Sequence, residues 1–471
     1  MTTTSPTPTA AAAPPHELVD HALEIPGADH RIVVVRVTHG SNLRWANNTL
    51  TTNGSSLRSQ VTALSFRTRD DGVAVAAMSG TAVTHEQVAA LVAAADAAAA
   101  QAAPAPDATP LVTGGVDADW TDPPAETGIG VYSDLAPGLG DAFGRARAEG
   151  RLLYGFVDHE MATTYLGSTT GLRRRHVQPT GHWGCTGKPA DLSSSAWVGG
   201  ATRDFRDVEA AAMDSVLAER LRWAERSVDL PPGRYDTVLP PTAVADLMIY
   251  AYWCAGDQAA RDGQSVFGRP GGGTRIGERL SRHDVSVLSD PAYPGLGAAP
   301  FVTVAASDDD NSVFDNGHPL AATDWIEGGT LRRLVRTRHA ATTHQEQPSP
   351  AIDNLVVRDA EGSGDLMDLV AGVERGLLLT CLWYIREVDP QTLLLTGLTR
   401  DGVYLVENGE ITGAVNNFRF NESPVAILDR YSHAGATVPT FSREWGDYFP
   451  RTAMPPLRVP DFNMSTVSQA Q

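Results

Sequence analysis

The residues best suited to chemistry fall between positions 159 and 185: His159-Glu160, His176, His182 and Cys185. Imidazole and thiolate are common zinc ligands, and a nearby glutamate can activate a metal-bound water. The helical zinc-hydrolase motif His-Glu-x-x-His puts both imidazoles on one face. Here positions 163 and 164 are both Thr, and Thr163-Thr164-Tyr165-Leu166 is β-branched and aromatic, so the segment reads as a strand. His159 therefore reads as an ordinary polar strand or turn residue. Together with His176, His182 and Cys185 it marks the place for a relocated metal site, if there is one.

The other motifs are weaker. Gly167-Ser-Thr-Thr-Gly171 has Thr169 where a nucleophile elbow needs Ser. Gly138-Leu-Gly140-Asp-Ala-Phe-Gly144 lacks the preceding buried strand of a dinucleotide loop. Gly268-Arg-Pro-Gly-Gly-Gly273 lacks the Gly-Lys-Ser/Thr ending of a P-loop. Asp308-Asp309-Asp310 lacks the Gly and Glu offsets of a calcium loop. All four read as turns or solvated loops. Two basic islands remain: Arg173-Arg-Arg175-His176, and the stripe Arg332, Arg333, Arg336, Arg338. They either steer an acidic peptide or subunit or line solvated strand edges, where charge blocks unwanted pairing. No catalytic residue and no metal ligand is nominated, and peptide-contacting residues are not assignable.

The elements that would position such groups alternate between strand and helix signals. Arg31 to Val37, Val61 to Arg67 and Gly72 to Met78 read as strands, with a turn at Asn47-Asn48. His85 to Ala103 reads as an Ala-rich helix, residues 104–128 as a loop, Leu139 to Gly150 as a helix and Leu152 to Ser168 as a strand. Residues 178–200, rich in Gly, Ser and Thr, read as an extended surface loop. Asp207 is expected to cap a helix reaching Ser227. Val228-Asp-Leu-Pro-Pro-Gly-Arg-Tyr235 is the best boundary, followed by a strand at Thr237 to Leu239 and a buried helix over Thr242 to Ala260. Beyond it, hairpins are expected at Gly328-Gly329 and Asn408-Gly409. One helix is expected at Asp365 to Gly376 and a long apolar strand at Leu377 to Val388.

Length and composition bound the rest. A chain of 471 residues, 42% hydrophobic, suits two to three domains with a sizeable core. Net charge is 37 − 56 = −19, which argues against sequence-independent nucleic-acid binding. No apolar run approaches the ~20 residues of a membrane span. Cys185, Cys254 and Cys381 are sparse and odd in number, as a reducing cytosol permits. The opening MTTTSPTPTAAAAPP lacks the charged and apolar regions of a secretory signal, so a cytoplasmic protein is expected. The fold expected is α/β (α+β) in two domains. A mixed α/β domain over 17–228 and a β-rich domain over 229–460 lie between a disordered tail, 1–16, and a C-terminal tail, 461–471.

Several segments resemble the TldD/PmbA family, two-subunit zinc metalloproteases once called modulators of DNA gyrase. They are Asn42-Leu-Arg-Trp-Ala-Asn-Asn48, Thr164-Tyr-Leu-Gly-Ser-Thr-Thr-Gly-Leu-Arg-Arg174, Gln264-Ser-Val-Phe267 with Ile276-Gly-Glu-Arg-Leu-Ser281, and Val313-Phe-Asp-Asn-Gly317. The most specific stretch runs from Leu382-Trp-Tyr-Ile-Arg-Glu387 through Thr396 to Gly402. It ends in Val406-Glu-Asn-Gly-Glu-Ile411 and Asn416-Asn-Phe-Arg-Phe-Asn421. The resemblance implies a two-domain fold of TldD/PmbA type. In that family the active subunit carries His-Glu-x-x-x-His on the first helix of the C-terminal domain, with a downstream Cys completing the zinc site.

The matching helix here, Ala243 to Cys254, holds no His, and Cys381 lies in an apolar run instead of a Gly-rich ligand loop. The resemblance is therefore to the zinc-less TldE/PmbA-type subunit. It implies a heterodimer with a TldD-type partner bearing the zinc, acting on unfolded or modified peptides, with no cofactor in this chain. Two alternatives stay open. One is a homodimeric peptide-binding or scaffold protein in modified-peptide maturation; the other is a hydrolase using the relocated site at His159, His176, His182 and Cys185.

Overall fold

The computed structural model describes residues 12–468. The first part of the chain forms α1 (Pro15–Glu24), β1 (His30–Ala46), β2 (Thr49–Arg69), β3 (Gly72–Gly80) and α2 (His85–Ala99). It continues through α3 (Leu135–Ala148), β4 (Arg151–Ser168), β5 (Arg173–Pro189), β6 (Ala196–Thr202) and α4 (Ala210–Trp223). The six strands form one antiparallel sheet in the order β3-β2-β1-β4-β5-β6. Asn47 and Asn48 take φ of 51° and 60°, the left-handed pair that a two-residue hairpin turn needs.

Side-chain alternation divides β1 between two cores. Val33, Val35 and Val37 pack with Leu18 and Val19 of α1 and Val88 and Val92 of α2. Ile32 and Val34 turn the other way, against Phe301, Val313 and Phe314 of the second half of the chain.

That second half begins with β7 (Ser227–Val228), β8 (Gly233–Leu239), α5 (Pro241–Trp253), α6 (Asp257–Arg261) and β9 (Val285–Ser289). Next come β10 (Thr323–Glu327), β11 (Thr330–Leu331), α7 (Arg338–His344), β12 (Leu355–Asp359), α8 (Leu366–Ala371) and β13 (Arg375–Asp389). The chain ends in β14 (Leu394–Glu407), β15 (Glu410–Val415), β16 (Phe418–Glu422), α9 (Pro424–Arg430), β17 (His433–Ala434), β18 (Val438–Thr440), β19 (Thr452–Met454) and β20 (Leu457–Val467). One sheet runs β11-β10-β9-β12-β19-β18. In the other, β13 pairs with both β8 and β14, so β13-β8-β20-β16-β14 closes on itself as a five-stranded barrel. α5 packs against β8, β13, β18 and β19, between the barrel and the smaller sheet.

The mixed α/β architecture is as expected, and several local expectations are corrected. Residues 178–200 are not a surface loop but most of the β5–β6 hairpin. Most of their glycines lie under aromatic cover instead of in turns: a Cβ at Gly200 would sit 2.7 Å from Trp183 Nε1. Asp207 does not cap α4. Its carboxylate accepts from the Thr202 hydroxyl, and Glu209 holds the N-cap position without a side-chain bond. The helix expected over Thr242 to Ala260 breaks after Trp253, where Gly256 bridges to Val335 before α6 starts. Asp365 to Gly376 does not hold the one late helix, since α7 and α9 also form, capped by Thr337 and Ser423. Residues 461–467 are not tail: they continue β20, and Phe462 and Met464 are fully buried in the core. At the other end, α1 begins at Pro15, and residues 1–11 of the expected N-terminal tail lie outside the described residues.

Candidate functional site

The helix that matters most is α5. Pro240 and Pro241 start it, with proline at the first helical position, where a missing N–H costs nothing. Its sequence is almost wholly apolar, and Ala243 to Ile249, Ala251 and Tyr252 are buried. The exception is Asp246, a carboxylate with no exposure. Such a group persists only if its lone pairs are satisfied. Its Oδ1 accepts from Ser442 Oγ at 2.6 Å and from the Glu444 backbone N–H at 3.1 Å; its Oδ2 accepts from the Leu382 N–H at 3.0 Å. Burial pushes this carboxyl up to about 7 despite the three donors.

Asp246 thereby ties α5 to β13 and to the loop before β19. Trp445 of that loop reinforces the tie: its Nε1 donates to the Asp246 carbonyl at 2.8 Å, and its ring lies 5.8 Å from Tyr250 and 5.2 Å from Trp253. At the helix end, Cys254 Sγ is 3.8 Å from Glu387 Oε2, and burial pushes its thiol up to about 12. Cys381 is fully buried, with its Sγ 3.5 Å from the Arg400 carbonyl and its thiol well above the usual range through burial.

These groups do not fit a zinc ion. A catalytic zinc needs three protein ligands of His, Cys or carboxylate type and an open position. α5 offers Met248, Tyr250 and Trp253 beside one carboxylate whose oxygens are already taken by Ser442, Leu382 and Glu444.

The relocated site does not assemble either. Strand alternation separates its members: Asp158 pairs with His182 and His159 with Gly181, so the two histidines face opposite sides of the sheet. His159 is buried among the N-terminal elements, with Nδ1 at 2.6 Å from Thr127 Oγ1 and Nε2 at 2.8 Å from the Arg203 carbonyl. Cys185 shares that face, fully buried, with burial pushing its thiol up to about 12. His182 faces the second half of the chain, stacked on Phe441 at 5.6 Å and 3.7 Å from Asp447. His176, on the same face, bonds Gln178. Among the described residues, no group of three or more His, Cys, Asp or Glu side chains could hold a metal ion.

Most of the basic islands are ion-paired, whereas Arg332 and Arg333 lie exposed beside edge strand β11, as the solvated-edge reading expects. Arg173 pairs with Asp20, Arg174 with Asp117 and Arg175 with Asp119, all at 2.7–2.9 Å. Arg336 reaches Asp257 and Glu346, Arg338 reaches Asp315 and Arg332 reaches Glu327. The glycine motifs are structural: Gly138-to-Gly144 lies within α3, Gly167-to-Gly171 turns β4 into β5, and Gly268 bridges to Thr274 in a tight loop. Asp308 folds back on the Asp310 and Asn311 N–H groups.

A cleft of about 560 Å³ separates the face of β5 at His176, Gln178 and Thr180 from the segment 291–298 and Arg451. Sequence reasoning missed Asp246, Ser442 and the arginine–tryptophan cluster described below. The only available signal was Asp246 itself, one carboxylate inside an apolar helix.

Residues 232–466 match the family model described as the PmbA/TldA metallopeptidase C-terminal domain. Three solved structures are similar over nearly the whole chain. TldE from Thermococcus kodakarensis shares 13% identity at a TM-score of 0.74, covering 95% of this chain and 98% of its own. A proposed modulator of DNA gyrase from Bacteroides thetaiotaomicron shares 14% at 0.73, covering 96% and 98%. Another from Thermotoga maritima shares 17% at 0.71, covering 92% and 95%. At such identities the likeness establishes the fold. No curated protein matches the sequence.

Proposed function

For this chain, which belongs to the TldD/PmbA family, we propose the role of a zinc-less, TldE-like subunit in a heterodimeric zinc metallopeptidase that processes unfolded or modified peptides. The observation that carries this reading is the state of α5. Where the family resemblance places zinc ligands, the helix has no His, and its one carboxylate is buried and tied to Ser442, Leu382 and Glu444. A helix locked in this way is a packing element, so the bond-breaking falls to a TldD-type partner holding the zinc. This chain contributes a wall and a surface that holds the peptide, and the reaction runs in the cytoplasm.

On this reading the chain's own residues do no proton transfer. They hold α5, β13 and the loop around Ser442 rigid, so the surface presented to a substrate does not rearrange. Co-expression with a TldD-type subunit should give a stable complex that hydrolyses unstructured peptides and stops when zinc is chelated. Recovery of this chain alone from that mixture, or zinc-dependent cleavage by the purified chain, sinks the proposal.

A further inference from the structure

Four side chains meet where the N-terminal sheet reaches the barrel: Trp197 of β6, Trp383 of β13, Arg400 of β14 and Arg443 of the loop that holds Asp246. The Arg443 guanidinium carbon lies 5.0 Å from the Trp197 ring centre and 4.3 Å from that of Trp383, and Arg400 lies 5.7 Å from the same Trp383 ring. Stacking engages the faces of these groups and leaves the in-plane N–H donors to find acceptors. None is there. Arg443 Nε and Trp383 Nε1 are shielded from solvent without a partner, and neither Arg400 nor Arg443 donates to any acceptor among the described residues.

The local charge leans positive, with Glu444 facing Arg443 through space without a hydrogen bond. Arg220 reaches the cluster, bonded to the Trp197 carbonyl, and burial lowers its pKa. The adjacent carboxylate, Asp401, takes a hydrogen bond from Ser195 Oγ at 2.9 Å. Buried donors without acceptors are rare and costly, and here they accompany an excess of positive charge in a chain of net charge −19. The neighbouring backbone is also strained. Tyr384 holds φ at 53°, unusual for a bulky residue, beside a register shift in β13, and its side chain is 53% exposed.

We propose that Arg400, Arg443 and the indole N–H of Trp383 form an anion site that takes a carboxylate group. Two guanidinium groups and an indole offer only donors, and a planar carboxylate accepts in-plane bonds from them. Arg443 lies between Ser442 and Glu444, whose groups bind Asp246, so a ligand held here sits beside α5. Calling the ligand a peptide rests on the subunit reading; the free C-terminus of a peptide and an acidic side chain present the same group.

The purified full chain is titrated with an unstructured pentapeptide in three forms: free acid, C-terminal amide, and amide with one internal Asp. Binding is followed by calorimetry and by tryptophan emission. A carboxylate in either position should tighten binding at least about tenfold over the plain amide, and the comparison of the two identifies its source. Arg443→Gln should abolish that preference, whereas Arg206→Gln, a surface substitution, should leave it unchanged. Trp383→Phe keeps an aromatic face while removing the N–H together with the pyrrole ring, so it should weaken the preference about threefold even if Arg443→Gln disturbs folding. Equal binding of all three forms, no binding of any, or a preference that survives both substitutions overturns the site. A chain that prefers the carboxylate but fails to assemble with a zinc-bearing partner keeps the site and loses the subunit reading.

Discussion

Arg173, Arg174 and Arg175 on β5 and the pair Arg400 and Arg443 at the barrel junction carry the same charge in opposite settings. The β5 run is met by acids from α1 and from the 117–119 segment, one carboxylate for each guanidinium. The junction pair is met by indole faces; among the described residues no carboxylate hydrogen-bonds it, and Glu444 faces Arg443 only through space. The run is conspicuous in sequence and neutral in space, whereas the pair is scattered in sequence and electrostatically open. Potential for binding thus follows what the fold places opposite a charge, not how densely charges cluster along the chain. The Arg336 and Arg338 stripe behaves like the β5 run, with Asp257, Glu346 and Asp315 as its counterions.

The comparison breaks if the paired arginines matter no more to stability than the unpaired ones. Asp257→Ala should have the largest effect. It removes a 2%-exposed carboxylate that bonds Arg336 and Arg261 at 2.7 Å each. Leaving such a buried cation under-compensated costs about 3–5 kcal/mol, read as a lower urea midpoint. Burial acts to raise the Asp257 pKa, but bonds from Arg336 and Arg261 prevail and hold it below the ordinary carboxylate range. A depressed acid contributes stability above its unfolded value and loses it as pH falls through the folded one. The gap between wild type and Asp257→Asn should therefore be full at neutral pH and close below about pH 4.

Asp246→Ala comes next. It strands the Ser442 hydroxyl and the Leu382 and Glu444 N–H groups, at about 3 kcal/mol in all. The pH signature has the opposite sign. Burial pushes Asp246 up to about 7, so its protonated form is favoured in the folded state, and its contribution declines as pH rises from about 4 to 7. Wild type should lose stability against Asp246→Asn across that window. A flat difference would show that the carboxylate is already ionised at acidic pH. Arg175→Gln is smaller, about 1–2 kcal/mol by thermal melting, because its partner Asp119 is 46% exposed and partly solvated.

Much of the fold was legible because it rests on local chemistry. Asn47-Asn48 and Asn408-Gly409 set hairpins through positive φ, a β-branched run sets β1 and a long apolar run sets β13. The misses share a physical cause. Gly184, Gly199 and Gly200 in β5 and β6 answer to tryptophans packed over them, and composition alone reads them as loop. α7 and α9, seven residues each, are too short for helical periodicity to register. The family resemblance located α5, but the fate of Asp246 depended on Ser442 and Glu444, nearly two hundred residues downstream. The acids that neutralise the basic islands and the indoles around Arg443 are likewise brought in by the fold and not by the local sequence pattern.

Arg443→Gln gives the smallest stability change and the sharpest test of the contrast. Removing the guanidinium forfeits stacking on two rings, about 1–2 kcal/mol when such contacts are shielded from water. It also relieves a cation and an Nε donor held without an acceptor, which is worth a comparable amount in the other direction. The two nearly cancel, so the urea midpoint should move by less than about 1 kcal/mol. Acetate should then separate the proteins. A ligand that binds only the folded state raises its melting temperature, so wild type should gain with added acetate beyond an equal concentration of chloride, and Arg443→Gln should not. A loss above about 2 kcal/mol without any acetate effect would instead make Arg443 a strut between β6 and β13, and its open donors would be a cost the fold simply bears.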